Sequence, residues 1–320
     1  MKKAMLALLL TGFIMVLPTS QIYADSNNHA KWNANANTIE ASGIIVMFYE
    51  RQPQYKFWIP GENDTAVYIV KFLEILEFED KNLDYNYTTG DVIKARAQLL
   101  ESSINWNITA MQLQGPEGSN ELRVIMSAQV PVRGVTAGLD GVIGYVNVTF
   151  VNHIYDKDVD VEGYVVEGNY ELKIDIIIQD WPWTESDTQL ALGIIFAGHF
   201  RGHAGVPSMH KARVREKVKE MRMSSPDASY EAAFRYREEV KVKEQVKERL
   251  CGVNASEQFS HQSALMYLTY PHFEGIMIHD PSIIVFSPEL GILGQLQLYA
   301  PYILIGAVVV IGIVLVARKK

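Results

Sequence analysis

The chain of 320 residues has a single cysteine, Cys251, so an intramolecular disulfide framework and any cysteine-rich zinc or iron–sulfur centre are excluded. It also lacks a Gly-x-Ser-x-Gly elbow, a His-Glu-x-x-His pair, a phosphate-binding glycine loop and a dinucleotide fingerprint. The best-marked routes to hydrolase, zinc-protease and nucleotide chemistry are therefore missing. Positive charge is in the minority, with 29 Lys and Arg against 37 Asp and Glu, a net of −8. What is present is a folding composition, 48% apolar and 21% charged, which excludes a disordered chain and permits a sizeable core. The length allows about two domains, or one large all-β domain.

The apolar residues are concentrated at the two ends. Lys2 and Lys3 precede an apolar run from Ala4 to Leu17, then Pro18 and a polar stretch ending at Ala24, the layout of a secretory signal peptide over residues 1–24. An uncleaved anchor is the alternative, but the run is short against the roughly 20 residues a spanning helix needs. Residues 298–317 contain no charge and are followed by Arg318, Lys319 and Lys320. This reads as a transmembrane helix, with Tyr299 and Tyr302 at the interface and a cytoplasmic basic tail at 318–320. The expected location is the cell membrane, single-pass, with the N-terminal ectodomain outside and lipid as the partner of 298–317.

Five Asn-x-Ser/Thr sequons, at Asn63, Asn86, Asn107, Asn147 and Asn254, fit an exported and N-glycosylated surface. Between the ends the pattern is mostly period two. From Tyr170 to Gln179, Leu172, Ile174, Ile176 and Ile178 fall on one face, while Glu171, Lys173 and Asp175 fall on the other. About ten such runs with short turns predict a mainly β fold, a β-sandwich ectodomain over 25–207 and 251–290 with a short stalk at 291–297. In the runs around Asn107 and Asn147 the acceptor falls opposite the apolar face, toward solvent.

One segment departs from this pattern. Residues 208–250 hold twelve Lys or Arg and eight Asp or Glu, rich in helix formers, with Ser225-Pro226-Asp227 resembling a helix start. Val214, Val218 and Met221, then Val242, Val246 and Leu250, predict an inserted α-helical hairpin, packed on the sandwich or docking on a partner or on anionic headgroups.

Several residues carry chemistry by type. Asp156, Asp158, Asp160 and Glu162, with Glu167, approach the spacing of a calcium loop, although Val161 stands where glycine is needed; a solvated acidic face is the competing account. Ca2+ is accordingly the one cofactor suggested. Trp181 and Trp183 could stack on sugar rings or plug the end of the core. Of His199, His203 and His210, the first two have His-x3-His metal-pair spacing, but the stretch is glycine-rich and spacing identifies no third ligand. Ser208-x-x-Lys211 has the bare spelling of a nucleophile motif without its companions, and Cys251 has no assigned base.

The signal segment, the sequons and the closing YILIGAVVVIGIVLVARKK together resemble uncharacterised archaeal single-pass cell-surface proteins. That resemblance implies a location and no catalytic residue. The expectation is a membrane-anchored extracytoplasmic surface protein, a non-enzymatic binding or envelope-structural module with a protein or glycan partner and no nucleic acid. The alternatives are a carbohydrate-active enzyme using paired carboxylates and an accessory subunit of a membrane complex.

Overall fold

A computed structural model describes residues 29–286, except 136, 137, 139, 140, 203, 204, 245, 246 and 261. The expected signal peptide, stalk, membrane span and basic tail lie outside the described residues. Among the described residues, twenty-two strands, every pairing antiparallel, account for the architecture. The first five are β1 (Lys31–Asn33), β2 (Thr38–Glu40), β3 (Ile45–Phe48), β4 (Gln54–Trp58) and the long β5 (Ala66–Glu79). They form a meander, each pairing with the next. Then come β6 (Val92–Gln98), β7 (Asn107–Gln114), β8 (Asn120–Gly134) and β9 (Gly141–Tyr155), followed by the small hairpin β10 (Val159–Val161) and β11 (Tyr164–Val166). The rest are β12 (Glu171–Gln179), β13 (Gln189–Phe200), β14 (Ser208–Arg215), β15 (Val218–Ser224), β16 (Glu231–Arg237), β17 (Glu239–Glu244), β18 (Lys247–Gly252), β19 (Asn254–Phe259), β20 (Ser263–Tyr270), β21 (Ile276–His279) and β22 (Ser282–Phe286).

Twenty of these belong to one continuous sheet with two wings. In the first wing β13 lies between β5 and β20, and β19 closes the edge beyond β20. In the second, β8, β9 and β12 run side by side, and β12 then pairs with β21 and β22, which carry β17 and β16. The wings join through β6, which pairs with β5 along its length and with the end of β8 through Ala95 and Arg96. They face each other, because Phe72 of β5 lies 4.7 Å from Phe150 of β9, strands that do not pair. Tyr55, Phe72, Phe150 and Trp106 are all buried there, and full burial of each such ring contributes about 1.5–3 kcal/mol. A sandwich-like core is thus made by one sheet folded over on itself.

The expected helical hairpin over 208–250 is absent: the segment forms β14, β15, β16, β17 and β18. Met221 and Met223, Ala232 and Phe234, and Val240 and Val242 are buried at two-residue spacing. The valines that suggested a helix stand four apart, a multiple of both a strand's repeat and, nearly, a helical turn. Ser225-Pro226-Asp227 makes the turn between β15 and β16, where Asp227 Oδ1 accepts from Ser225 Oγ at 2.7 Å and Ser229 N at 3.1 Å. Burial against β22 and β21 overrides the helix propensity of the lysines and glutamates. Among the described residues there is no α-helix, and so none long and apolar enough to cross a membrane.

Candidate functional site

The polar groups of interest gather on the outward face of the second wing, beneath the hairpin of β10 and β11. The hairpin turns at Glu162 and Gly163, both with positive φ, and Asp160 Oδ1 accepts the Gly163 N–H at 2.7 Å. Its inner side adds Val159, Tyr164 and Val166 to Tyr155 and Val218 in a small separate apolar cluster. Under this cover the Arg235 guanidinium reaches Glu220 and Glu171 at 3.2 Å and Glu167 at 3.3 Å. Glu171 is fully buried and also accepts from the Tyr164 and Ser282 hydroxyls. Burial opposes the charge of Arg235, but Glu171, Tyr164 and Glu167 outweigh it and raise its pKa. Burial raises the Glu167 carboxyl, against the pull of Arg235.

A cleft of about 140 Å³ opens beside the hairpin, lined among others by Glu162, Tyr164, Arg215, Lys217, Arg237 and Glu239. The Arg215 and Arg237 guanidinium groups sit 5.7 and 6.0 Å from the centre of the Tyr164 ring. Lys217 pairs with Glu239 at 2.8 Å, and Glu162 with Lys241 and Arg237. The lining is charged, of both signs, and partly paired, through Lys217 with Glu239 and Arg237 with Glu162. Such a wall can recognise a charged or hydrogen-bonding group, but it presents no nucleophile beside a base.

A second network crosses the same face on β8, β9 and β12. His153 stands between two carboxylates, with Nδ1 2.7 Å from Glu121 and Nε2 3.2 Å from Asp175. Arg123 also holds Glu121, while Lys173 holds Asp175 and lies 3.7 Å from Asp280. Burial lowers the His153 pKa, but the two carboxylates outweigh it and the net shift is upward. Burial likewise opposes ionisation of Asp175, yet His153 and Lys173 hold that carboxyl well below its usual range. Histidine flanked by two carboxylates links β8, β9 and β12, and no hydroxyl or thiol hydrogen-bonds to its ring.

The residues singled out for calcium form no group of three that could hold a metal among the described residues, and each carboxylate is engaged by other donors. Asp156 accepts from Asn120, Asp158 from Gly168 N and Asp160 from Gly163 N, while Glu162 and Glu167 serve the lysine and arginine pairs above. Trp181 is buried and donates to Glu77 at 3.0 Å; half-buried Trp183 donates to Phe273 O at 2.7 Å, and its face stacks on His272 at 3.9 Å. His199 and His210 are exposed on β13 and β14, and His203 lies outside the described residues. Ser208 and Lys211 are three apart on a strand and so point to opposite faces; Lys211 pairs with Glu257. Cys251 is half-buried with Arg249 Nη1 at 3.0 Å, and burial raises its thiol.

A feature not anticipated is the loop from Asp80 to Asp91. Asp80, Asn82, Asp84, Asn86, Thr88 and Asp91 occupy positions 1, 3, 5, 7, 9 and 12 of a twelve-residue stretch, the spacing of a calcium loop. Tyr85 stands where such loops carry glycine, and it takes the left-handed φ, 60°, that glycine serves. Asp80 receives Leu83 N and Tyr85 N, both at 2.8 Å, and Asp91 receives Thr88 N at 2.7 Å. Among the described residues no three His, Cys, Asp or Glu side chains form a metal cage, so a cation here would also need amide, hydroxyl and backbone oxygens. Such hard oxygens suit Ca2+. The spacing is legible in the sequence, with Tyr85 at the glycine position and strands β5 and β6 on either side.

The sequon asparagines are all outside the core. Asn63, Asn107 and Asn254 are exposed, and Asn86 and Asn147 are half-exposed. No protein-family model matches the chain, and no characterised protein matches it in sequence.

Proposed function

We propose that the chain is an extracytoplasmic, N-glycosylated surface module, tethered to the membrane through 298–317, that binds or braces a neighbouring component rather than catalysing a reaction. The observation that carries this reading is the placement of the five sequons on turns, edges and outward faces, with none in the core. At Asn86, Asn147 and Asn254 the Nδ2 that would carry the sugar also donates a hydrogen bond, to Asp84 O, Asp180 Oδ2 and Tyr85 O, and a glycosylated amide keeps one N–H for it. The polar clusters add weight, because the buried carboxylates Glu77 and Glu171 and the near-buried His153 are already engaged by other protein groups. A catalytic group would need a free valence facing substrate. Digestion of the protein on intact cells tests the placement.

The same reading takes calcium as a structural ion at Asp80–Asp91 rather than at Asp156–Glu167. In a thermal melt, Ca2+ in excess is expected to raise Tm by several degrees over a chelated sample, as binding to the folded state alone requires. Asp84→Ala is expected to abolish that increment, and Asp158→Ala to leave it. An equal melt with and without Ca2+ would remove calcium from the account.

A further inference from the structure

Four strands longer than three residues pair on one side only among the described residues. β7 pairs only with β8, β14 only with β15, β18 only with β17, and β19 only with β20. An open edge presents unpaired N–H and C=O groups and is a template for pairing with another chain, and natural proteins blunt it with charge or cover. The four divide into two kinds. β14 carries His210, Lys211, Arg213 and Arg215, and β18 carries Lys247, Glu248 and Arg249. Neither contains a sequon. β7, with the sequence NITAMQLQ, has no charged residue, and β19, NASEQF, has only Glu257, which is held by Lys211 and Tyr236. Each of these opens with a sequon asparagine, Asn107 and Asn254, and both are exposed. The remaining sequons lie in a turn, a loop and an interior strand.

We infer that N-glycans at Asn107 and Asn254 act as edge guards, replacing the missing charge and preventing antiparallel pairing of β7 and β19 with a second copy of this chain. β7 is the more exposed to this hazard. It is eight residues, about 27 Å of extended backbone at ~3.4 Å per residue, neutral and without proline or glycine. A branched, hydrated sugar at its first residue denies an incoming strand the end of that edge. Asn63 and Asn86 have no such edge to cover, and Asn147 stands where β12 stops covering β9, beside the open stretch before it. This inference rests on the glycosylated reading above.

The test uses the full chain from a glycosylating host, purified in mild detergent, with glycopeptide mass spectrometry first. Thr109→Ala and Ser256→Ala remove the two sequons while keeping the asparagines, Asn107→Gln is the second route for β7, and Thr65→Ala removes the turn sequon at Asn63 as a control. Light scattering over a concentration series, with a melt to confirm folding, is expected to show self-association strengthened by about tenfold or more in the edge variants and unchanged in Thr65→Ala. Adding Met111→Lys to Thr109→Ala places a charge on the bare edge, where Met111 is 39% exposed, and is expected to restore the monomer. Sugar-bearing wild type with edge variants that stay monomeric would overturn the guard role alone. Self-association equal in Thr65→Ala would overturn it too, by showing a general effect of sugar. Wild type without sugar at Asn107 and Asn254 would overturn the guards together with the glycosylated reading.

Discussion

Arg235→Ala is expected to destabilise the protein by about 3–5 kcal/mol, read as a lower urea midpoint at neutral pH. The magnitude follows from what stays behind. Glu171 and Glu220 are almost completely buried, and Arg235 joins them across three strands at 3.2 Å each. Removing the cation leaves two carboxylates in low dielectric, with only neutral donors to face Glu171 and only Arg222 near Glu220. Combining Arg235→Met with Glu171→Gln and Glu220→Gln removes the stranded charge and is expected to recover much of the loss, since replacing a whole buried ion pair is often close to neutral. If Arg235→Ala cost under about 1 kcal/mol, the cluster beneath β10 and β11 would have to be solvated, as surface pairs are.

Glu77→Gln is expected to cost on the order of 3 kcal/mol and to loosen the stretch from Asp180 to Thr188. The Glu77 carboxylate accepts from Trp181 Nε1 at 3.0 Å, Thr184 N at 3.0 Å, Thr184 Oγ1 at 2.6 Å and Thr188 Oγ1 at 2.8 Å. All are donors, so an amide that turns its own N–H₂ toward them leaves at least one donor facing another inside the core. Tryptophan emission should shift to the red as Trp181 and Trp183 meet water. Thr188→Val removes one bond of the set and is expected to cost about 1 kcal/mol without that shift. An unchanged emission spectrum in Glu77→Gln would show that the loop is held by packing alone.

These two clusters mark where sequence reading stops. The inward face of β12 is legible residue by residue, because Leu172, Ile174, Ile176 and Ile178 alternate and all are fully buried. Its other face misleads: Glu171 and Lys173 read as solvated, yet both are buried, since β10 and β11 and neighbouring loops cover them. Nothing local announces a cover supplied by a different element. Glu77 is worse still, as its donors lie 104 to 111 residues away along the chain. The segment 208–250 failed for another reason. Its valines fit both periods, and composition then favoured helix, whereas the hydrogen-bonding edges of β22 and β21 decide for strand. The sequons were readable from three-residue spellings, and the strand parity that turned Asn107 and Asn147 outward agrees with their exposure.

The claim on which the account depends is that the β fold stands outside the cell with sugar on its surface and a lipid tether behind it. The most direct measurement treats intact cells, then lysed cells, with a broad protease and an N-glycan-cleaving enzyme, and follows the chain by antibody to its β strands. The account expects loss of the band and a stepwise fall in mass in intact cells, to the same extent as after lysis. A chain untouched until the cells are broken would contradict it.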